Sequence, residues 1–115
     1  MKREIKFRAW FPEHKEMHEW QKFDGAIIKN IFEQPDFCIL QQFTGLKDKN
    51  GVEIYEGDIL KFGNNNTTEV TFENGCFNVF DEPLGWDFDS EEVPIKALMS
   101  YCKVIGNIHE NPELL

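Results

Sequence analysis

The chain has 115 residues, of which 41% are hydrophobic and 29% are charged, values typical of one globular domain with its own core. Its formal net charge of −9 argues against broad binding to nucleic-acid phosphates, which requires many exposed Lys and Arg side chains. No basic segment leads into an apolar stretch at the start, and no apolar run approaches the length of a membrane span. We therefore expect a soluble, cytoplasmic protein.

Almost all of the net charge lies in one third of the chain. Residues 1–61 carry ten basic and eleven acidic side chains, and residues 96–115 carry two of each. Residues 62–95 instead contain eight acids and no base. This segment predicts a surface of strongly negative potential.

The N-terminal third predicts short strands. Residues 4–10 alternate between apolar and polar positions, with Trp10 on the polar face, which is typical of a half-buried strand. After a polar turn, residues 17–23 are predicted to return as the second strand of a hairpin. Residues 26–32 (AIIKNIF) and 37–43 (FCILQQF) are rich in β-branched and aromatic side chains, and each is predicted to form a further strand.

The clearest local signal lies within residues 44–62 (TGLKDKNGVEIYEGDILKF). Asn50-Gly51 is a typical two-residue hairpin turn, because both residues tolerate a positive φ angle. The charged residues just before it, including Asp48, are expected to keep the turn in water. The flanking apolar residues predict a strand on each side of the turn.

A second break follows at Gly57-Asp58, where the glycine predicts a bend or bulge in the sheet. Glu53, Glu56 and Asp58 could be interpreted as carboxylates for acid–base catalysis. We favour a structural role for Asp58, because a short acceptor at this position can bind backbone amides of the turn.

The rest of the chain predicts a meander, an acidic loop and a closing strand. A second Asn-Gly turn at residues 74–75 joins two short strands. Residues 81–92 form the acidic loop, and residues 93–101 fit either a short helix or an extended segment. Residues 102–108 predict the closing strand, with Gly106 at a bulge or at a close approach of another part of the chain.

These elements together predict a mainly β fold with minor helix. The N-terminal β-hairpin region covers residues 1–43, and a small SH3-like barrel covers residues 44–115. We expect the two regions to form one compact unit. The eleven phenylalanines also favour sheet packing over a helical bundle.

Metal ligands are sparse. His14 and His18 have the spacing of ligands on one helix face, but they are predicted to lie on a turn and a strand without a third ligand. Asp87, Asp89 and Glu91 imitate the start of a calcium loop, yet the later Gly and Glu of that loop are missing. We therefore predict solvated histidines, no metal site and no cofactor.

The sequence also lacks the motifs of covalent catalysis. Cys38, Cys76 and Cys102 are far apart and lie in apolar surroundings, so we expect reduced, buried thiols. Neither a phosphate-binding glycine loop nor a nucleophile motif is found. We predict no catalytic residues and no enzymatic activity.

The acidic loop interleaves aromatic and acidic side chains, a composition typical of a surface that binds another protein. The candidate partner-binding residues are Trp86, Asp87, Phe88, Asp89, Glu91 and Glu92. Trp86 could alternatively fold back as a lid on the barrel. Trp10, on the polar face of its strand, is a further exposed aromatic of this kind.

Three stretches carry a resemblance to a known family: KREIKFRAW at residues 2–10, FTGLKDKNGVEIYEGDILKF at 43–62 and VIGNIHENPELL at 104–115. In this order and spacing they resemble the YopX-like family of small proteins encoded by phages and prophages. The resemblance implies a mainly β protein with a barrel-like C-terminal half, present in the host bacterial cell during phage or prophage activity. It implies no catalytic residues.

We therefore expect a non-enzymatic phage or prophage accessory protein, a protein-binding or regulatory module that engages a host or phage protein. One alternative is a nucleic-acid-linked regulator. It would bind nucleic acid directly through the Lys and Arg side chains of residues 1–61, or it would act as an acidic mimic of DNA. No membrane partner is expected. Unpaired strand edges also predict self-association into a homo-oligomer.

Overall fold

Strands form most of the ordered elements, which confirms the predicted mainly β fold. The structure is a computed structural model, and it describes residues 4–20, 23, 25–34, 36–63, 66–80, 82–83 and 101–115. The chain divides into two compact units, Met1–Phe43 and Thr44–Leu115. The SH3-like form of the second unit stays a prediction.

The first unit is built on an antiparallel set of three strands. Strand β1 (Phe7–Phe11) pairs with β2 (Glu16–His18) on one side and with β3 (Ile39–Lys47) on the other. This confirms the predicted N-terminal hairpin. The returning strand is shorter than predicted, because β2 ends at His18 rather than at residue 23.

The segment predicted as a third strand is a helix, α1 (Gly25–Glu33). The side chain of Ile31 on this helix packs against the core of the first unit, which contains Phe11 and Cys38. The prediction of a strand over residues 26–32 was wrong because isoleucines at positions three and four apart also fit a helical period. Packing against the core decides between these two patterns.

Strand β1 is buried on both faces, contrary to the half-buried strand predicted. Trp10, expected on a polar face, is buried, and so is Arg8 on the same side of the strand. The Arg8 guanidinium donates from Nε to Gln41 Oε1 at 2.9 Å, a partner on β3 that makes burial of the charged group tolerable. Trp10 is therefore a core residue and not an exposed contact residue.

The second unit contains a run of short antiparallel strands. They are β4 (Glu53–Tyr55), β5 (Asp58–Phe62), β6 (Asn66–Glu69), β7 (Thr71–Glu73), β8 (Cys76–Val79), β9 (Glu82–Pro83) and β10 (Cys102–Asn107). One sheet has the order β10-β5-β6 and another has the order β7-β8-β9. The predicted closing strand is present, but the strands of the predicted meander are divided between these two sheets, with β5 and β6 in one and β7 and β8 in the other. A 3-10 turn, Pro112–Leu114, follows β10.

The core of the second unit joins residues that are distant in sequence. Ile54, Leu60, Val70, Val79 and Cys102 form one buried apolar cluster. Because β5 contributes Leu60 and β10 contributes Cys102, pairing of these two strands closes the cluster. The helix considered for residues 93–101 lies outside the described residues except for Tyr101, which is in a turn.

The predicted positive φ angle of Gly51 is confirmed at +79°, but the two-residue form of the turn was wrong, because Asn50 has no positive φ and the Gly51 amide donates to the Asp48 carbonyl at 3.0 Å. Asp48, however, is buried rather than solvated. Its carboxylate accepts hydrogen bonds from the backbone amides of Asn50 (2.8 Å), Val52 (2.9 Å) and Val104 (2.9 Å). Sequence reasoning missed this role because the third amide lies on a strand 56 residues away.

Electrostatics at Asp48 follow from this geometry. Burial by itself would raise the pKa of the Asp48 carboxyl, but the three amide donors and the charge of Lys49 outweigh burial, and the pKa is lowered. The carboxylate therefore stays ionised inside the unit.

Two smaller predictions about the second unit are also confirmed. Asp58 Oδ2 accepts a hydrogen bond from the Tyr55 amide at 2.7 Å, as expected for a turn acceptor. Gly106 lies at a bulge of β10, and a Cβ atom there would be 2.5 Å from Asn111 Oδ1. The same oxygen accepts the Asn107 amide at 3.3 Å, so the glycine permits this contact.

Candidate binding surfaces

The residues predicted to bind a partner lie in the acidic loop. Trp86, Asp87, Phe88, Asp89, Glu91 and Glu92 all lie outside the described residues. The described residues instead contain three surfaces with binding chemistry: a stripe on α1, a cleft in the first unit and a basic pair in the second unit.

The first surface is an apolar stripe on α1. Ile28 and Phe32 are one helical turn apart, and both project into solvent, with 43% and 82% of their surfaces exposed. Ile31 holds the helix on the core, so the exposed pair needs no role in the folding of the unit. Large apolar side chains on one exposed helix face are typical of a helix that contacts another protein.

The second surface is a cleft of about 490 Å³ in the first unit. Its floor contains Phe11, the last residue of β1, and Phe37, which precedes β3. The two rings meet edge to face, with centroids 5.1 Å apart. The Phe11 ring also contacts the His18 ring, with centroids 4.4 Å apart. The floor is therefore fixed by packing.

The walls of the cleft come from two connecting segments. Glu13 and His14 belong to the turn between β1 and β2, and Gln34 and Asp36 belong to the connection between α1 and β3. Backbone hydrogen bonds hold the second wall: Gln34 donates to the Asn30 carbonyl at 2.8 Å, and Phe37 donates to the Gln34 carbonyl at 2.9 Å. The cleft thus combines an apolar floor with polar and acidic walls.

The two histidines have different surroundings. His14 is exposed at the cleft, as predicted. His18 is half-buried against Phe11, so the prediction that it is solvated was wrong. Its Nε2 donates to Glu16 Oε2 at 3.2 Å, whereas the buried Nδ1 has no hydrogen-bond partner among the described residues. Within the same residues, no group of His, Cys, Asp and Glu side chains is arranged to hold a metal ion.

The third surface is on the β10-β5-β6 sheet. Lys103 on β10 is directly opposite Lys61 on β5, so both ammonium groups lie on the same face of the sheet. Neither lysine forms an ion pair with a described residue. Tyr101 precedes β10 and has 68% of its surface exposed. A like-charge pair directly across two strands is unfavourable for folding, and it makes this face attractive to anions.

Acidic side chains are close to one another around Glu69, the last residue of β6. Burial and the nearby charges of Glu56 and Glu73 raise the pKa of the Glu69 carboxyl. Glu69 pairs with Ile59, two positions from Lys61 along β5.

The cysteines are only partly as predicted. Cys38 and Cys102 are buried, but Cys76 is half-exposed, so the prediction of three buried thiols was wrong at this position. Burial and the neighbouring charge of Asp48 raise the pKa of the Cys102 thiol to about 11. Burial also raises the pKa of Cys38. Both buried thiols are poor nucleophiles at neutral pH.

Sequence reasoning missed the cleft and the α1 stripe for identifiable reasons. The cleft assembles residues from positions 11–14 and 34–37, and only the contact between these two segments creates it. A signal for the α1 stripe does exist in the sequence, because Ile28 and Phe32 are four residues apart. Assigning the segment to a strand concealed it.

None of the helices in the described residues is both long and apolar enough to cross a membrane. No protein of curated function matches the chain. A solved structure, the crystal structure of protein EF1440 from Enterococcus faecalis, is similar, with a TM-score of 0.67 and 32% sequence identity. The similarity covers 99% of each chain. The YopX protein family matches residues 6–115. This chain therefore belongs to the YopX family, which is associated with phages and prophages.

Proposed function

We propose that this chain is a non-enzymatic phage or prophage accessory protein that acts by binding another protein. The observation that supports this most directly is the apolar stripe on α1, in which Phe32 is 82% exposed beside the exposed Ile28. Two such side chains one turn apart can insert into a partner's apolar pocket and supply most of the binding energy. The proposal assigns no catalytic residue and no cofactor.

The charge of the chain supports a basic partner. The net charge is −9, and residues 62–95 contain eight acids without a base. A negative surface attracts a basic protein over roughly a Debye length, about 8 Å at physiological salt. In this proposal Trp86, Asp87, Phe88, Asp89, Glu91 and Glu92 contribute to the contact, and an SH3-like second unit serves as their scaffold.

Affinity capture with matched variants tests the proposal. Tagged wild type, Phe32→Ser and Lys29→Ser would be expressed in host cells that carry the phage or prophage, and captured proteins would be identified by mass spectrometry. Lys29 is exposed on the same helix, and losing its positive charge should not weaken binding to a basic partner. We expect a protein that wild type and Lys29→Ser capture and that Phe32→Ser does not.

The partner would then be purified for binding measurements. Phe32→Ser should raise Kd by about tenfold or more, as expected for an aromatic anchor. Changing Asp87, Asp89, Glu91 and Glu92 to their amides should weaken binding and reduce its dependence on salt. Equal capture by Phe32→Ser and Lys29→Ser, with a Kd independent of salt, would reject the proposal.

The second candidate is a nucleic-acid-linked regulator, and the Lys61–Lys103 pair beside the exposed Tyr101 favours it. Lysines neutralise phosphates, and an exposed aromatic ring can stack on a base of a single strand. A gel-shift assay with wild type, Lys61→Glu/Lys103→Glu and Lys29→Glu separates the candidates. Protein binding as the main function predicts no measurable duplex binding at physiological salt.

The second candidate would replace the first if wild type and Lys29→Glu bind nucleic acid and Lys61→Glu/Lys103→Glu does not. Nucleic-acid binding that persists in this variant would point to other Lys and Arg side chains within residues 1–61. An acidic mimic of DNA is the other form of this second candidate, and it would act by binding a DNA-binding protein. It predicts that the captured partner binds DNA and that DNA competes with this chain for it.

A further inference from the structure

We propose that the cleft of the first unit binds the guanidinium or ammonium group of an arginine or lysine side chain on the protein partner. The cleft is defined by Phe11, Glu13, His14, Gln34, Asp36 and Phe37. The inference rests on the proposed function only for the source of the cationic group. The binding chemistry itself follows from the residues of the cleft.

The floor offers aromatic surface to a cation. Phe11 and Phe37 meet at 5.1 Å with an interplanar angle of 87°, and Phe37 is only half-buried, so part of its ring is accessible to a ligand. A cation over an aromatic face is attracted by the negative potential of the ring. The aliphatic part of an arginine or lysine side chain can pack on the same carbon surface. Both parts of such a side chain therefore find a favourable neighbour.

The walls supply negative charge without a described counterion. Glu13 and Asp36 approach from different segments of the chain, and neither forms an ion pair with a described residue. Gln34 adds an amide oxygen that can accept an N–H bond. A guanidinium has five N–H donors in one plane and can bind several such acceptors at once. A cationic ligand therefore complements the walls, and an anion would be repelled.

The cleft is largely formed before a ligand arrives. Phe11 is buried and belongs to the core of the unit, where its ring also contacts His18. Two backbone hydrogen bonds, from Gln34 and Phe37, fix the wall that carries Asp36. Binding thus requires little ordering of the protein, which favours recognition of even a single side chain. A volume of about 490 Å³ also leaves room for the backbone next to that side chain.

The test uses the full chain and two small probes of the same shape. N-acetyl-arginine amide carries the guanidinium, and N-acetyl-citrulline amide replaces it with a neutral urea group. Each probe would be titrated into isotope-labelled protein while amide chemical shifts are recorded. We expect binding of the arginine probe in the millimolar range, with shifts at Glu13, His14 and Phe37. The citrulline probe should bind at least threefold more weakly.

A matched pair of variants tests whether the Glu13 carboxylate contributes to binding of the arginine probe. Glu13→Gln removes an acid of the cleft, whereas Glu19→Gln removes an exposed acid of the same unit outside it. Glu13→Gln should weaken the arginine probe by roughly threefold, as expected for one solvated ion pair. Glu19→Gln should leave its Kd unchanged.

Three results would overturn the inference: equal binding of the two probes, equal effects of the two variants, or shifts that map away from the cleft. The absence of shifts up to the highest soluble probe concentration would also overturn it. Because the probes need no partner, this outcome is distinct from failure of the proposed function. Phe32-dependent capture could persist without a functional cleft, and probe binding could persist without such capture.

Discussion

Replacing Asp48 with Asn should destabilise the second unit much more than the loss of one charge at the surface. The Asp48 carboxylate accepts amides of Asn50 and Val52 on one oxygen and the Val104 amide on the other. An asparagine retains one acceptor oxygen, so its NH₂ group must face at least one buried N–H donor. The unsatisfied donor costs about 1–3 kcal/mol, and the two remaining bonds each lose about 1 kcal/mol of charge assistance. We expect a total of about 3–5 kcal/mol.

Urea unfolding at neutral pH measures this effect, with Asp36→Asn as the exposed control. The control should change the free energy of unfolding by less than about 0.5 kcal/mol. Hydrogen exchange at the Val104 amide should also become faster in Asp48→Asn. A stability of Asp48→Asn equal to that of the control would refute the proposed role of the three hydrogen bonds.

Wild type and Asp48→Asn should also differ in how their stability depends on pH. The folded-state pKa of Asp48 is lowered, so its stabilisation is fully present above the unfolded value, about 3.9, and is lost as pH falls through the folded value. Asn does not titrate. The stability difference between wild type and Asp48→Asn should therefore be constant above about pH 5 and should shrink below about pH 4. A difference that stays constant down to about pH 2 would contradict the lowered pKa.

Three further predictions concern stability and thiol reactivity. Gly51→Val should cost about 1–3 kcal/mol in urea unfolding, because a β-branched residue is strained at a φ angle of +79°. Gly106→Ala should lower the free energy of unfolding by a similar amount, because the added methyl group would meet Asn111. Adding Asn111→Gly to this variant should recover part of the lost stability, and strictly additive effects of the two substitutions would exclude the contact. A thiol-specific disulfide reagent should modify Cys76 in the folded protein and the two other cysteines only on unfolding, whereas fast labelling of Cys102 would contradict its burial.

The parts of the fold that the sequence predicts correctly depend on neighbouring residues. The positive φ angle of Gly51 and the acceptor role of Asp58 both arise within a few positions of the residues concerned. Backbone preference and short polar side chains are sufficient to determine them. Gly106 is similar, since the contact that requires a glycine is with Asn111, five residues along the chain.

The errors arise where distant segments meet. Alternation in β1 suggests that Trp10 faces solvent, but the strand is covered on both sides. The α1 segment has apolar positions compatible with a strand or a helix, and the packing of Ile31 selects the helix. The burial of Asp48 requires Val104, which no local pattern connects to it. The cleft likewise depends on a meeting of two segments that are separate in the sequence.

The position of β10 has a consequence for the growing chain on the ribosome. Strand β5 lies between β6 and β10, and Asp48 bonds to Val104 across 56 residues of sequence. At bacterial synthesis rates, about 5–20 residues per second, roughly 3–11 seconds separate the synthesis of these two residues. During that interval the local hairpins can form, but β5 retains an unpaired edge beside exposed apolar side chains. We therefore expect chaperones to bind a nascent chain in this state, and the yield of folded protein to depend on them more strongly than folded-state stability alone suggests.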